Sequence, residues 1–122
     1  PVTVYRLELM AFDEQAQEFD GLTAIVCTEK SRVRWLAKQL EGSAAKVLTS
    51  HDSLPAKGVV LLDLALAKGL EFDQVIIADA QEEVYKADGI SRRRLYTALS
   101  RAMHHVIVVS QGKMTPLLSK LL

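Results

Sequence analysis

Apolar and polar positions along this chain fall into short blocks, each with the period of one kind of element. Residues 2–9 (VTVYRLEL) alternate loosely between apolar and polar, as a strand with one solvated face does. Phe12 to Phe19 reads as a short helix with Asp13 as its cap and acids in its first turn, punctuated by Asp20-Gly21. Leu22 to Cys27 is a continuous apolar run of strand length, and Thr28 is a suitable cap for a helix after it. That helix, 31–40, places Val33, Leu36, Ala37 and Leu40 at i, i+3, i+4 and i+7, a core stripe. Arg32, Arg34 and Lys38 fall largely elsewhere, as a solvated face or a nucleic-acid face. Trp35 stands beside the stripe as a packing anchor with its N–H near the surface. Gly42 ends the helix.

Ala44 to Thr49 is a short strand candidate, and Ser50 to Lys57 (SHDSLPAK) is rich in turn formers and reads as a loop. Two buried strands come next, 58–64 and 74–79, separated by the glycine-containing segment Lys68 to Asp73. Ala80 to Gly89 is polar and acidic, a surface connection. Ile90 to Met103 is the next helix, His105 to Ser110 the last strand, and Met114 to Leu122 a terminal helix with Pro116 in its first turn. Strands covered on both faces read as unbroken Val, Ile and Leu runs, and here they alternate with helices. The expected fold is therefore α/β: a mainly parallel sheet containing 22–28, 58–64, 74–79 and 105–110, with the 31–41 and 91–103 helices packed against it.

Composition narrows the function classes. At 122 residues and 49% apolar, the chain suits one compact domain with a real core. Fifteen basic and fifteen acidic residues cancel, so a nucleic-acid contact must come from local clusters. Cys27, the single cysteine, sits in an apolar run and reads as a buried, inert thiol. His51 has no second histidine or cysteine at ligand spacing, so it reads as an exposed loop residue and no metal site is expected. No apolar run reaches membrane-spanning length and no signal peptide opens the chain, which makes a cytoplasmic protein the expectation and a membrane partner unexpected. The sequence contains no GxxxxGK[ST] loop and no acidic pair after a strand of the kind that holds Mg²⁺ in ATPases. With its start at Pro1 inside a strand pattern, the chain is expected to be a fragment of a longer protein.

The chemistry-bearing residues lie in two segments. The first is Ala67-Lys68-Gly69-Leu70-Glu71-Phe72-Asp73, between two apolar runs, where an α/β sheet presents polar groups to ligands. The second is Arg94-Leu95-Tyr96-Thr97-Ala98-Leu99-Ser100-Arg101-Ala102. On a continuous helix Leu95, Ala98, Leu99 and Ala102 form a core stripe. Arg94 and Arg101, seven apart, would then lie nearly one above the other, with Thr97 between them. Each arginine can be read as a phosphate ligand, through its planar fork of donors, or as a snorkelling side chain whose stem covers the core.

This pair, AKGLEFD followed by RRLYTALSRA, resembles motifs V and VI of UvrD/Rep-type superfamily 1 helicases, with details most similar to the HelD-like branch. The resemblance spans roughly residues 45–110. It implies a RecA-like, P-loop NTPase-type fold and the second, C-terminal core domain of an ATP-dependent DNA helicase or translocase. ATP would bind with Mg²⁺ between two RecA-like domains, the first supplying the phosphate loop and metal ligands. Arg101 matches the motif VI arginine that approaches the γ-phosphate and stabilises charge there in phosphoryl transfer. Glu71 matches the motif V glutamate on the nucleotide ribose, and Gly69 permits close backbone approach at the same turn. Lys68 aligns with the motif V lysine, near the nucleotide or the translocating strand, and Arg94 is a further phosphate candidate.

The implied partners are the first RecA-like domain and single-stranded DNA. Ala65 stands where many UvrD-like proteins carry a strand-contacting histidine, and Ser100 where threonine is usual. The first departure fits the HelD-like branch, some members of which act on RNA polymerase. A non-unwinding accessory module is therefore the alternative to a motor. A freestanding Rossmann-like nucleotide binder would need a GxGxxG loop, which is absent.

Overall fold

Six stretches rich in β-branched and leucine side chains pair into one sheet, and every pairing in it is parallel. The structure, a computed structural model, describes residues 2–5 and 21–118. In chain order the elements are β1 (Val2–Tyr5), β2 (Leu22–Cys27), α1 (Lys30–Gln39), β3 (Lys46–Val47), β4 (Gly58–Asp63), α2 (Leu64–Ala67), β5 (Phe72–Ile77), α3 (Gly89–Leu99) and β6 (Ala102–Val109). The strand order is β1-β6-β5-β2-β4-β3. The predicted helix at 12–19, the end of the first strand beyond Tyr5 and the last residues of the terminal helix lie outside the described residues; Leu117 and Leu118 are helical.

Alternation along each strand divides the core between two faces. Ile25, Cys27, Leu61, Ile76 and Ile107 point to the side covered by α1, where Val33, Leu36 and Leu40 are buried as the helical stripe requires. Ala24, Val26, Leu62, Val75 and Val108 point to the other side, against Leu64 and Ala67 of α2 and Leu95 and Ala98 of α3. Both faces are therefore dry, and the strands read as unbroken apolar runs for that reason. The buried Gln74 is accommodated because its amide nitrogen donates to the Thr23 hydroxyl across the sheet at 3.2 Å.

Several predicted boundaries move. The strand expected over 58–64 stops at Asp63, and Leu64–Ala67 forms one helical turn. The strand expected over 74–79 begins earlier, at Phe72, so the end of the AKGLEFD segment is itself sheet. Only Lys46–Val47 pair within the 44–49 candidate. Glu29, not Thr28, is the N-cap of α1, because the Thr28 hydroxyl and amide are both turned to Asp79, at 2.9 and 3.0 Å. Trp35 is nearly half exposed rather than a packed anchor. The largest correction concerns 80–89. Ala80, Gln81 and Tyr85 are buried, and Tyr85 is the bulkiest fully enclosed side chain among the described residues. Backbone bonds from Ala80 to Val109 and from Thr115 to Ala80, both 2.9 Å, tie the start of this connection to the end of β6 and to the segment after it.

Candidate functional site

The AKGLEFD segment is a crossover that carries the chain from the end of β4 to the start of β5. Its first half is helical: Lys68 closes α2 with its amide donating to the Leu64 carbonyl at 3.1 Å. Gly69 then takes φ +83, a left-handed conformation that costs a residue with a Cβ about 1–2 kcal/mol. Beyond its two chain neighbours nothing lies within 4 Å of where that Cβ would stand, so the turn itself requires the glycine, rather than close packing against the protein. Leu70 folds back through a bond to the Ala67 carbonyl at 3.0 Å. Glu71 emerges exposed, one residue before the strand.

Arg101 is not on the helix that the sequence suggests. Ser100 caps α3 and Ala102 is already the first residue of β6, so the two arginines do not stack on one continuous face. The cause is tertiary: the Phe72 amide donates to the Arg101 carbonyl at 2.9 Å, and this bond begins the β5–β6 ladder. Strand pairing overrides the helix-forming run Ala98 to Met103. Arg101 is half-buried, and its guanidinium folds back on the helix end. Its Nε donates to the Thr97 carbonyl and one terminal nitrogen to the Ser100 hydroxyl, both at 3.2 Å. The Thr97 carbonyl is among the last four of α3, which lack intrahelical donors, and a cation there also suits the helix dipole. The structure thus joins the residue after Glu71 to Arg101 by a main-chain bond and brings both motifs together at the starts of β5 and β6.

Lys68 and Arg94 meet elsewhere. Both line a groove of about 440 Å³, together with Thr28, Ile90, Arg93 and Thr97. A second groove of about 410 Å³ adjoins it at Ala65 and is lined by Lys30, Arg34, Thr49 and Ser50. The local basic clusters that a neutral chain would need are therefore present along this edge, on α1, α2 and α3. Sequence reasoning assigned no role here to Lys30 or Arg93, because a basic residue on an exposed helix face carries no signal of its neighbours. Thr97 belongs to both places: its residue lines the groove, and its carbonyl holds Arg101.

Thr28 reaches the groove because Asp79 holds it. Asp79 is buried two residues beyond β5, and its Oδ2 accepts both Thr28 donors while Arg32 stands 3.8 Å away. Burial raises the Asp79 carboxyl above its ordinary range, against the lowering pull of the Thr28 donors and of Arg32. Its other oxygen, Oδ1, and the Tyr85 hydroxyl are buried without a hydrogen-bond partner. Burial likewise pushes the Cys27 thiol and the Tyr85 hydroxyl well up, which makes Cys27 an inert core residue as its sequence context implies. Among the described residues no group of three or more His, Cys, Asp or Glu side chains gathers where it could hold a metal ion, and no helix is long and apolar enough to cross a membrane. His51 is exposed in its loop.

Comparison with known proteins adds family to this geometry. A sequence search of characterised proteins finds no match. Among solved structures, the C-terminal domain of Dbp5, a DEAD-box protein, superposes with a TM-score of 0.55 over 92% of this chain and 76% of that one. At 15% identity that likeness speaks for the fold, the RecA-like arrangement of helicase C-terminal domains. The C-terminal domain of a possible DNA helicase from Lactobacillus plantarum WCFS1 is 32% identical, with a TM-score of 0.83 over 99% of this chain and 79% of that one. The family of UvrD-like helicase C-terminal domains matches residues 58–109, from the start of β4 to the end of β6, so that it contains both motifs and the bond between them. The chain belongs to the UvrD-like helicase C-terminal domain family.

Proposed function

We propose that this chain is the second RecA-like motor domain of an ATP-dependent DNA helicase or translocase. It would complete an ATP site with a first RecA-like domain and couple hydrolysis to movement on single-stranded DNA. The observation that carries this reading is the bond from the Phe72 amide to the Arg101 carbonyl. It fixes Glu71 and Arg101 on adjoining strand starts, where a nucleotide could meet a carboxylate at its ribose and a guanidinium at its γ-phosphate. Glu71 is exposed and acceptor-only when ionised, as a partner for ribose hydroxyls needs to be. Arg101 is held in reserve: to reach a phosphate its guanidinium exchanges the Thr97 carbonyl and Ser100 hydroxyl for phosphate oxygens, a gain in charge-assisted bonding. Magnesium would neutralise phosphate charge from ligands on the first domain. The residues of this chain bind the ribose and stabilise the transferring group.

The basic edge supports a role in holding the strand. Lys68 and Arg94 face one groove, and Lys30 and Arg34 the next, with hydroxyls from Thr28, Thr49 and Ser50 beside them. This composition suits a phosphate backbone and needs no base-specific contact. α2 and the Lys68–Glu71 crossover connect that edge to the nucleotide edge, so a shift at one is felt at the other. A second reading, an accessory module acting on RNA polymerase as in the HelD-like branch, is favoured by Ala65. A small apolar side chain stands where the two grooves meet, in place of a strand-contacting histidine. Single-turnover ATP hydrolysis by the complete two-domain protein, with and without single-stranded DNA, separates the two readings. Stimulation by DNA supports the motor, and hydrolysis indifferent to DNA but altered by RNA polymerase supports the module.

A further inference from the structure

Resting on that reading of Arg101, the geometry points to Asp73 as a positioning residue for the arginine, acting through the start of β6. Asp73 is the second residue of β5, half-buried, and its two oxygens face different strands. Oδ2 accepts the Leu22 amide, at the first residue of β2, at 2.8 Å. The carboxylate sits so close to Gly21 that a Cβ there would lie 2.8 Å from Oδ2, and Gly21 itself adopts φ +136, which a side chain would strain. The Gly21 carbonyl in turn accepts the Gly58 amide, at the first residue of β4, at 3.0 Å. Oδ1 faces His104 Nε2 of β6 at 3.9 Å. The starts of β2 and β6 thus meet on one side chain of β5, and the start of β4 joins them through the Gly21 main chain.

The ladder between β5 and β6 slips at this point. Phe72 pairs with Ala102 and Gln74 with His105, so Asp73 alone stands opposite Met103 and His104. Such a bulge bends its strand and re-aims the neighbouring side chains. Here the bulge begins two residues after Arg101, and Arg101 is anchored on the other side by the Phe72 amide. Asp73 stabilises the bulged form by facing the extra residue, so the direction in which Arg101 leaves the sheet depends on it. The His104 contact is mostly solvated and contributes little binding energy. Its consequence is geometric, and an error of about 1 Å in a reacting group costs on the order of 10² in rate.

The test is a double-mutant cycle on ATP turnover in the complete two-domain protein, with nucleotide affinity and thermal unfolding measured for every variant. Asp73→Ala is expected to lower kcat by about 10- to 100-fold with KM for ATP changed less than about threefold, as misplacement of a transition-state group does. Asp73→Asn keeps an oxygen for the Leu22 amide and should recover most of that loss. A residue that acts through Arg101 has nothing left to act on once Arg101 is gone, so Asp73→Ala should add no further loss to Arg101→Ala. His104→Ala, at an exposed position where folding is secure, should lower kcat by about threefold on the same pattern and carries the cycle if Asp73→Ala does not fold. An Asp73 or His104 effect that persists undiminished beside Arg101→Ala, or the absence of any effect on kcat, overturns this role. If Arg101→Ala alone turns over normally, it is the motor reading that fails.

Discussion

Arg94 and Arg101 belong to one short motif, seven residues apart, yet they occupy mechanically different places. Arg94 is presented by the middle of a rigid helix into an open groove beside Lys68. Arg101 lies past the helix end, its backbone already in register with a strand and its side chain folded onto the helix terminus. A helix-borne cation suits a backbone that slides past it, since its reach is set by the helix and its partners are interchangeable. A strand-borne cation suits one fixed phosphate, because the β5–β6 ladder determines where its strand begins. Sequence spacing cannot separate these two situations. The element boundary between the residues does.

The sharpest way to break the comparison is to remove Arg101 from the complete protein. Arg101→Ala should lower ATP turnover by about 10³ to 10⁵, the scale of an arginine finger, and Arg101→Lys should recover little because a point charge cannot reproduce the planar fork. Arg92→Ala, on the exposed face of α3, is the control and should leave turnover near the parent value. Equal effects at both positions would reduce Arg101 to a helix-terminus ligand.

Glu71→Ala should act on affinity more than on rate. Loss of a hydrogen bond to a charged group costs about 1.5–3 kcal/mol, so the KM for ATP should rise by roughly 10- to 100-fold with kcat within about threefold. A fall in kcat with KM unchanged would place Glu71 away from the ribose. On the groove side the effects are smaller and of another kind. Lys68→Ala and Arg94→Ala should each weaken single-stranded DNA binding several-fold and lower the slope of log affinity against log salt by about 0.7. Arg101→Ala should leave that slope unchanged. Salt titrations by fluorescence anisotropy therefore sort the two arginines without reference to hydrolysis.

Much of the sheet was legible because its strands are covered on both faces: runs such as Val59-Val60-Leu61-Leu62 have few alternatives at that length. The α1 stripe was legible for the same reason, since burial on one side leaves a 3.6-residue period. The AKGLEFD and RRLYTALSRA segments were legible as a pair, although their junction was not. Nothing between Ala98 and Met103 stops a helix, and only the pairing of Phe72 with Ala102 ends it at Leu99. The segment from Ala80 to Gly89 was misread for the opposite reason. Its polar composition suggests solvent, but Tyr85 is enclosed, and Gln81 is buried with its side-chain oxygen accepting the Gln111 amide at 3.3 Å. Local pattern reports exposure only where no distant segment covers the chain.

Asp79, the residue just before that segment, is a buried carboxylate, and it yields the smallest and most local prediction. Burial raises its pKa above the ordinary 3.8, so the folded state holds the proton more tightly than the unfolded chain does. The contribution of this group to stability is therefore fully present below pH 3.8 and is lost as pH rises through the raised value. Asp79→Asn removes the titration while keeping a carbonyl oxygen for the Thr28 amide and hydroxyl. The amide nitrogen then replaces Oδ1, an oxygen now buried without a partner, as the Tyr85 hydroxyl is. Thermal unfolding of the chain against pH should show the variant gaining on the parent as pH rises from the acid side toward neutrality, with the two converging again toward pH 3.8. A variant that loses stability at neutral pH would mean that the charged carboxylate, paired with Arg32 and the Thr28 donors, is the form the fold holds.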